Sequence, residues 1–215
     1  MSSDSFVFHN GAEETATSIP ANSLDSEHTY WFPMRVTYGR SLKVGEQLAE
    51  LEMEYFLPYD EKLEPHPEKY KITTTPLINN LIFVKSSKDK LVELKRSESI
   101  LRHMRFITFI PESKKHKDMT LLERSAANRI LIIPDNEMDQ FIKTVNENTS
   151  RVTLIAFSET FKHIGHRIRI IQGPLAGTIG TLRRISGNKH VHVDCGELIT
   201  VQIDYMPKDM YEKID

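Results

Sequence analysis

The sequence predicts an α+β protein of two domains, in which an antiparallel sheet with helices on one face precedes a small β-barrel. Three observations support this prediction. Between residues 30 and 110 the apolar positions switch between the two-residue period of strands and the 3.6-residue period of helices. Residues 146–150 are polar and show no period, and from about residue 161 only the strand period recurs. A chain of 215 residues, 39% of them hydrophobic, can bury ordinary cores of this kind.

The predicted elements of the first domain follow the chain in a simple order. A strand at 30–36 contains Pro33, which cannot donate to a ladder and favours an edge or a bulge. The full set is strand 30–36, helix 41–54, strand 55–59, a hairpin or loop at 60–75, strand 77–84, a short helix around 91–94 and strand 104–110. The order β-α-β-β-α-β is that of a ferredoxin-like split unit, in which both helices cover one face of the sheet.

The second half of the chain contains one clear helix and then only strands. Met138, Phe141, Ile142 and Val145 recur at helical spacing, and Asp135 is a candidate N-cap. Residues 121–133 are ambiguous. After residue 161, short alternating segments around 168–170, 191–193 and 199–203 predict a small antiparallel barrel, because closing the sheet removes its exposed edges. We therefore predict a leader at 1–28, a first domain at 29–147, a linker at 148–160 and a second domain at 161–215.

Composition excludes several classes of protein. The single cysteine, Cys195, cannot form a disulfide within the chain, and the N-terminus lacks the basic start and apolar run of a signal peptide. No stretch approaches the roughly 18 apolar residues of a membrane-spanning helix. We expect a cytoplasmic protein that does not contact the membrane.

The charges are distributed unevenly. Residues 1–28 contain five acidic residues and no Lys or Arg, which predicts a disordered acidic leader. The whole chain has 28 Lys and Arg against 30 Asp and Glu, so the remaining 187 residues carry a net charge of +3. Residues 85–117 alone carry ten basic and four acidic residues, which makes this segment the strongest electrostatic feature.

Two groups of residues carry a family resemblance. Residues 165–182, which include Gly173, Pro174 and Gly177, resemble the KOW motif, a strand, Gly-Pro turn and strand that open an SH3-like barrel. The N-terminal half resembles the N-terminal domain of NusG-type transcription elongation factors. Its matching features are Trp31-Phe32, Arg40 before a helix, Phe56-Leu57-Pro58, the run 76–84 and Arg96-Ser97. Together the two regions cover about residues 30–212.

The sequence departs from the family pattern at two places. Residues 77–81, Leu-Ile-Asn-Asn-Leu, stand where the family usually has an aromatic-aromatic-Pro-Gly-Tyr run. Ser-Glu-Ser stands near Ser99 where a Pro-Gly is expected. These changes indicate a specialised paralogue, such as an antiterminator dedicated to one operon.

The resemblance implies a non-enzymatic factor that binds the clamp helices of RNA polymerase, acts as a monomer and suppresses pausing or termination. By position, the docking residues are Leu77, Ile78 and Leu81, with Trp31 as a further candidate. The alternative is that some of them pack beneath the helices, because neighbouring residues of a strand point to opposite faces. This alternative is favoured for Trp31.

The basic segment has two interpretations. Lys114, Lys115 and Lys117, with Arg102 and Arg105, could face the phosphates of upstream or non-template DNA. The alternative is a solvated surface that aids solubility.

The C-terminal domain of this family binds Rho or a small ribosomal protein, and the sequence does not decide between them. Because Val, Ile and Thr crowd its strands, we predict a barrel and not the helical hairpin that some members form.

Other functions are less well supported. No P-loop, dinucleotide fingerprint, zinc-protease motif or nucleophile elbow occurs, so we expect no enzyme and no cofactor. The histidines at 163, 166, 190 and 192, together with Cys195, complete no recognised metal-ligand spacing, so we expect no metal. The second candidate function is a KOW-containing RNA-binding or ribosome-associated protein.

Overall fold

The computed structural model describes residues 18–20, 28–65, 70–147, 152–156, 165–185, 187–196, 198–204 and 206–214. Most of the predicted acidic leader therefore lies outside the described residues. The chain divides into two compact units. The described residues of the N-terminal unit lie within Ile19–Thr108 and Ile130–Ile132, and those of the C-terminal unit are Ser18 and the described residues of Phe109–Arg129 and Ile133–Asp215.

The N-terminal half contains seven strands and two α-helices among its described residues. They are β1 (Ser18–Pro20), β2 (Tyr30–Val36), α1 (Ser41–Glu50), β3 (Tyr55–Phe56), β4 (Tyr59–Pro65), β5 (Tyr70–Pro76), β6 (Leu81–Ser86), α2 (Lys88–Ser97) and β7 (Met104–Phe106). A single 3-10 turn, Leu101–His103, leads into β7. The β-α-β-β-α-β order of β2, α1, β3, β6, α2 and β7 agrees with the prediction, with β4 and β5 inserted as a separate hairpin.

The main sheet of this unit has the strand order β3-β6-β2-β7, and all neighbours are antiparallel. β2 is an inner strand although it contains Pro33. The register explains why this is tolerated, because β7 pairs only with residues 34–36 of β2 and Pro33 lies beyond the end of that pairing.

The core of the N-terminal unit lies between the sheet and its helices. Phe32, Met34 and Val36 share one face of β2 and are fully buried, in the same apolar cluster as Val44 of α1 and Leu91 of α2. The helices therefore cover this face of the sheet, as the alternation predicted. Residues 31, 33 and 35 occupy the opposite face.

Helix α1 ends four residues earlier than the periodicity predicted. Its last residue is Glu50, and Leu51 is the C-cap. Glu52 has a positive φ of 52°, which breaks the helical path and directs the chain back toward β3. No helix in the described part of the chain is long and apolar enough to cross a membrane.

The C-terminal half begins with short elements and continues into a larger sheet. Its elements are β8 (Thr108–Phe109), a 3-10 turn at Glu112–Lys114, α3 (Leu121–Ala127), β9 (Arg129–Leu131), α4 (Asp135–Glu147), β10 (Val152–Ala156), β11 (His166–Ile170), β12 (Ile179–Ile185), β13 (Asn188–Cys195), β14 (Ile199–Asp204), a 3-10 turn at Lys208–Met210 and β15 (Tyr211–Lys213). The ambiguous stretch 121–133 thus contains one helix and one strand.

The C-terminal sheet has six antiparallel strands in the order β10-β14-β13-β12-β11-β15. In the described residues β10 and β15 are its two edges, so closure into a barrel is not observed there. One edge strand, β10, falls inside the predicted linker 148–160, because Val152 to Ile155 are largely β-branched or aliphatic and pair with β14.

Helix α4 belongs to the C-terminal unit, whereas the sequence placed it in the domain 29–147. In that unit α4 is grouped with the C-terminal sheet and with residues Phe109–Arg129. Of the stripe that helical spacing predicted in α4, Met138, Phe141 and Val145 are at most 3% exposed, whereas Ile142 is only partly buried.

Candidate functional site

The predicted docking residues differ sharply in exposure. Leu77 is 40% exposed, but Trp31 is 2% exposed, and Ile78 and Leu81 are each 1% exposed. Leu77 is therefore the only one of the four that this structure presents at its surface. Trp31 packs beside its cross-strand partner Lys85, whose ammonium nitrogen is 5.7 Å from the centre of the indole ring.

The turn before β6 explains why Leu77 and Ile78 differ. Asn80 has a positive φ of 61°, and its carbonyl oxygen accepts a hydrogen bond from the Val36 amide at 2.8 Å. Its side-chain oxygen accepts a second bond from the Gly39 amide at 3.2 Å. These bonds tie residues 77–80 to the end of β2, with Ile78 in the interior and Leu77 outside.

Exposed apolar surface in the N-terminal unit is concentrated on the β4–β5 hairpin. Tyr59, Leu63, Tyr70 and Ile72 are 48 to 69% exposed. No function was predicted for this stretch, although the spacing of Tyr59, Leu63 and Ile72 across a hairpin could have indicated a shared face.

Arg102 and Arg105, two of the predicted nucleic-acid-facing residues, line a surface pocket of about 380 Å³. We call this the cationic pocket; its lining residues are Val92, Lys95, Arg96, Arg102 and Arg105. Four of the five are cations and none is acidic. The pocket therefore favours an anionic ligand.

Local structure explains how these cations converge. Lys95 and Arg96 stand in the last turn of α2, where cations are favoured by the helix dipole. Ser87 caps the other end of the helix by accepting a hydrogen bond from the Lys90 amide at 3.3 Å. The Arg105 guanidinium donates to the carbonyl oxygens of Arg102 and, at 2.9 Å, Met104.

The surroundings of the cationic pocket change the pKa of Lys95. Its burial, and then the proximity of Arg105, lower the pKa of Lys95 from its ordinary value. The ammonium nitrogen also lies 5.1 Å from the centre of the Phe106 ring. An anion bound in the pocket would offset the repulsion between Lys95 and Arg105.

A second group of the N-terminal unit surrounds Tyr38, and of its members only Arg40 was singled out from the sequence. Tyr38 is 82% exposed with a positive φ of 62°, and the Arg40 guanidinium lies 5.1 Å from its ring centre. The His103 ring meets Tyr38 edge-on at 5.8 Å. Burial, then Arg40 and Arg105, lower the pKa of His103, so the imidazole favours its neutral form. The positive φ of Tyr38 could not be inferred from residue type.

Lys114, Lys115 and Lys117 are exposed in the segment between β8 and α3. They belong to the C-terminal unit, whereas Arg102 and Arg105 belong to the N-terminal unit. The structure thus assigns the five predicted phosphate-facing residues to two units.

Helix α3 begins in a capping box, in which the Glu123 amide donates to the Thr120 hydroxyl at 3.2 Å and the Thr120 amide to the Glu123 carboxylate at 2.7 Å.

Gly173, Pro174 and Gly177 form the predicted turn between β11 and β12. Gly173 and Gly177 have φ values of 79° and 89°, a conformation that favours glycine. The turn is closed by a hydrogen bond of 2.7 Å from the Gly177 amide to the Ile170 carbonyl oxygen. Leu175, at its centre, is buried.

The remaining candidate ligands do not converge. His190 and His192 face away from Cys195 because they alternate along β13. Within the described residues no group of three or more His, Cys, Asp or Glu side chains is placed to hold a metal, and His163 lies outside them. Burial, and then Glu137 and Asp194, raise the pKa of Cys195 and favour the unreactive thiol.

The N-terminal unit is an α+β module that carries an exposed apolar hairpin and a pocket lined with cations. These two surfaces are typical of a protein that binds other molecules. A family profile described as "Transcription termination factor nusG" matches residues 29–142, more than half of the chain. The chain therefore belongs to the NusG family, whose members are non-enzymatic transcription factors.

Among solved structures, the chain is similar to one described as "Domain interaction in Thermotoga maritima NusG", at 12% identity and a TM-score of 0.41. That similarity covers 87% of this chain and 98% of the other. Comparison with curated proteins gives no match.

Proposed function

We propose that this protein is an operon-specific elongation and antitermination factor that binds RNA polymerase through its N-terminal unit and suppresses pausing or termination. The observation that carries the proposal is the NusG-family match over residues 29–142, which spans the main sheet, the hairpin and the cationic pocket. Proteins of this family bind RNA polymerase, and the departures at residues 77–81 favour a specialised member.

Leu77 is the polymerase contact that we assign first, because its side chain is 40% exposed beside the turn into β6. Trp31, Ile78 and Leu81 belong to the proposed docking residues by position. Because they are buried, they could contact the polymerase only if the side chains that cover them moved away. A matched pair tests this assignment. Leu77→Asp should weaken polymerase binding with the fold intact, whereas Ile78→Asp should unfold the N-terminal unit because it places a carboxylate in the interior.

The cationic pocket supports a contact with upstream or non-template DNA. Arg102 and Arg105 offer guanidinium groups that match phosphate geometry, and Lys95 and Arg96 add charge from the end of α2. Lys114, Lys115 and Lys117 are proposed as a further phosphate-contacting strip in the C-terminal unit. For that unit we propose Rho or a small ribosomal protein as partner, on the family resemblance alone.

The direct test is transcription by purified polymerase on a template with a strong pause and a downstream terminator. Added protein should shorten the pause and increase terminator read-through on its own target operon. Unchanged pausing and read-through, with no polymerase binding, would reject the proposal. Co-sedimentation with ribosomal subunits in an extract without polymerase would favour the RNA-binding or ribosome-associated alternative instead.

A further inference from the structure

The β4–β5 hairpin separates its side chains into two faces of different chemistry. Leu63 and Ile72 are direct cross-strand partners, and Tyr70 lies two residues before Ile72 on the same face. Tyr59, four residues before Leu63, lies on this face as well. We call these four residues the hairpin face.

The opposite face is polar, and four of its groups pair with one another within the hairpin. Thr73 donates a hydrogen bond to the Glu64 carboxylate at 3.0 Å, and Lys62 lies 3.5 Å from the Asp60 carboxylate. On the hairpin face, by contrast, the exposed fractions are 48% for Tyr59, 64% for Leu63, 69% for Tyr70 and 62% for Ile72.

A two-stranded hairpin of this kind is only marginally stable by itself. In the described residues β4 and β5 pair only with each other, so neither is supported by a third strand. Isolated two-stranded hairpins are marginally stable in water, and contiguous exposed apolar side chains mark a surface that another molecule covers. The hairpin face therefore fits a partner better than it fits solvent.

The chemistry of the hairpin face selects the class of partner. Lys and Arg do not occur among its described residues, and Glu61 shares the face as its charged group. Such a surface repels the phosphates of DNA or RNA. It fits an apolar strip of another protein, ideally with a basic or hydroxyl group opposite Glu61.

The area of the hairpin face and its position beside Leu77 indicate which protein covers it. Four side chains with these exposures present on the order of 400–500 Å², whereas a stable interface takes about 800 Å² from each partner. The hairpin face is thus too small to hold a second copy of the chain on its own. It directly precedes Leu77, whose amide donates to the Pro58 carbonyl oxygen at 2.8 Å and closes the base of the hairpin.

We propose that the hairpin face, Tyr59, Leu63, Tyr70 and Ile72, is a second contact surface for RNA polymerase, which extends the surface proposed around Leu77. This inference rests on the proposed function. The polymerase region that it contacts is an apolar, weakly charged strip beside the site that Leu77 meets.

The test compares the full-length protein with two double variants on the same strands. Leu63→Thr with Ile72→Thr removes apolar area while it keeps residues that favour strands. Lys62→Thr with Lys71→Thr makes the same number of changes on the opposite face. Affinity for core polymerase assembled on a nucleic-acid scaffold should fall at least about tenfold for the first variant and stay within about twofold of the unaltered protein for the second.

Two outcomes separate this inference from the proposed function. If the unaltered protein binds polymerase and the Leu63→Thr, Ile72→Thr variant binds equally well while folded, the hairpin contact is wrong and the proposed function stands. If the unaltered protein does not bind polymerase at all, both fail.

A second measurement does not depend on the stability of the variant. A photo-crosslinking phenylalanine analogue placed at Tyr70 should crosslink to a polymerase subunit, and one placed at Lys71 on the opposite face should not. Crosslinks from position 70 to DNA, or to a second copy of the chain, would overturn the proposal.

Discussion

Lys143 of α4 and Ala176 of the Gly-Pro turn are joined by a hydrogen bond of 2.7 Å from the ammonium nitrogen to the carbonyl oxygen. One turn earlier on the same face, the Gln140 side-chain oxygen accepts from the Ile179 amide at 2.8 Å. One turn earlier again, the Glu137 carboxylate accepts from the Gly196 amide at 2.9 Å. Three polar side chains at helical spacing thus bind α4 to two loops and to the first residue of β12 in the C-terminal sheet.

The first prediction is that Gln140→Ala destabilises the C-terminal unit. The substitution leaves the partly buried Ile179 amide without its acceptor, which should cost about 1–2 kcal/mol in the free energy of unfolding. Urea denaturation measures this change. Amide exchange at β12 should increase with it.

Asp139→Ala is the matched control, because Asp139 is exposed on the same helix. It should change the free energy of unfolding by less than about 0.5 kcal/mol. Equal effects of the two substitutions would show that the bond between Gln140 and Ile179 does not hold α4 on the sheet.

Periodicity predicted the helices and strands of this chain better than it predicted which of them pack against each other. The i, i+3, i+7 stripe of α4 requires that Met138, Phe141 and Val145 be covered, and they are buried. Nothing in that stripe says which sheet covers it, because any apolar surface satisfies the same requirement. The hydrogen bonds that join α4 to the C-terminal sheet could not be predicted from spacing either.

The candidate site was predictable only in part, for a similar reason. The excess of basic residues at 85–117 identified the Arg102 and Arg105 region, but a pocket arises only when α2 and β7 place their cations together. Ile78 is buried just before a turn in which Asn80 has a positive φ, and both features are properties of the folded turn. Local sequence carries little information on either feature.

The second prediction concerns two glycines of the C-terminal sheet. An added Cβ at Gly180 would lie 2.7 Å from the His192 carbonyl oxygen, so Gly180→Ala must displace a neighbouring strand. At Gly177 an added Cβ meets nothing within 4 Å, and only the φ of 89° opposes alanine. We expect Gly180→Ala to cost more than about 2 kcal/mol and Gly177→Ala about 1 kcal/mol.

Thermal denaturation of both glycine variants tests this order. A Gly177→Ala variant that melts at or below the temperature of Gly180→Ala would mean that backbone strain outweighs the steric conflict. That result would contradict the close approach of β12 to β13.

The third prediction is that His192 makes stability fall in mild acid. Burial, and then Arg183, lower the pKa of His192 in the folded protein, whereas the unfolded chain binds a proton near about 6.5. The unfolded state therefore holds more protons between the two pKa values. The free energy of unfolding should be at its full value above about pH 6.5 and should decrease as the pH falls below it.

His192→Gln separates this contribution from the others. It removes the titration but also the hydrogen bond of 3.2 Å between the imidazole and Gln202, so the variant should be less stable at pH 7.5. Between pH 7.5 and 5.5 it should lose less stability than the unaltered protein. Some pH dependence should remain, because the pKa of His103 is lowered as well. Identical pH profiles would show that His192 does not titrate in this range.

The fourth prediction is that the cationic pocket binds phosphate. Replacing both Arg102 and Arg105 by Ala removes two guanidinium groups from the pocket. On a single strand each phosphate contact contributes about 0.7 to the magnitude of the slope of log K against log salt concentration, so the loss of two contacts should reduce that magnitude by about 1.4. Fluorescence anisotropy with a single-stranded non-template oligonucleotide, measured from 50 to 200 mM salt, gives this slope.

Lys208→Ala with Lys213→Ala is the matched control, because it removes the same charge from exposed sites in the C-terminal unit. It should leave the slope unchanged. Equal slopes for the two double variants would mean that net charge alone, and not the pocket, determines DNA binding.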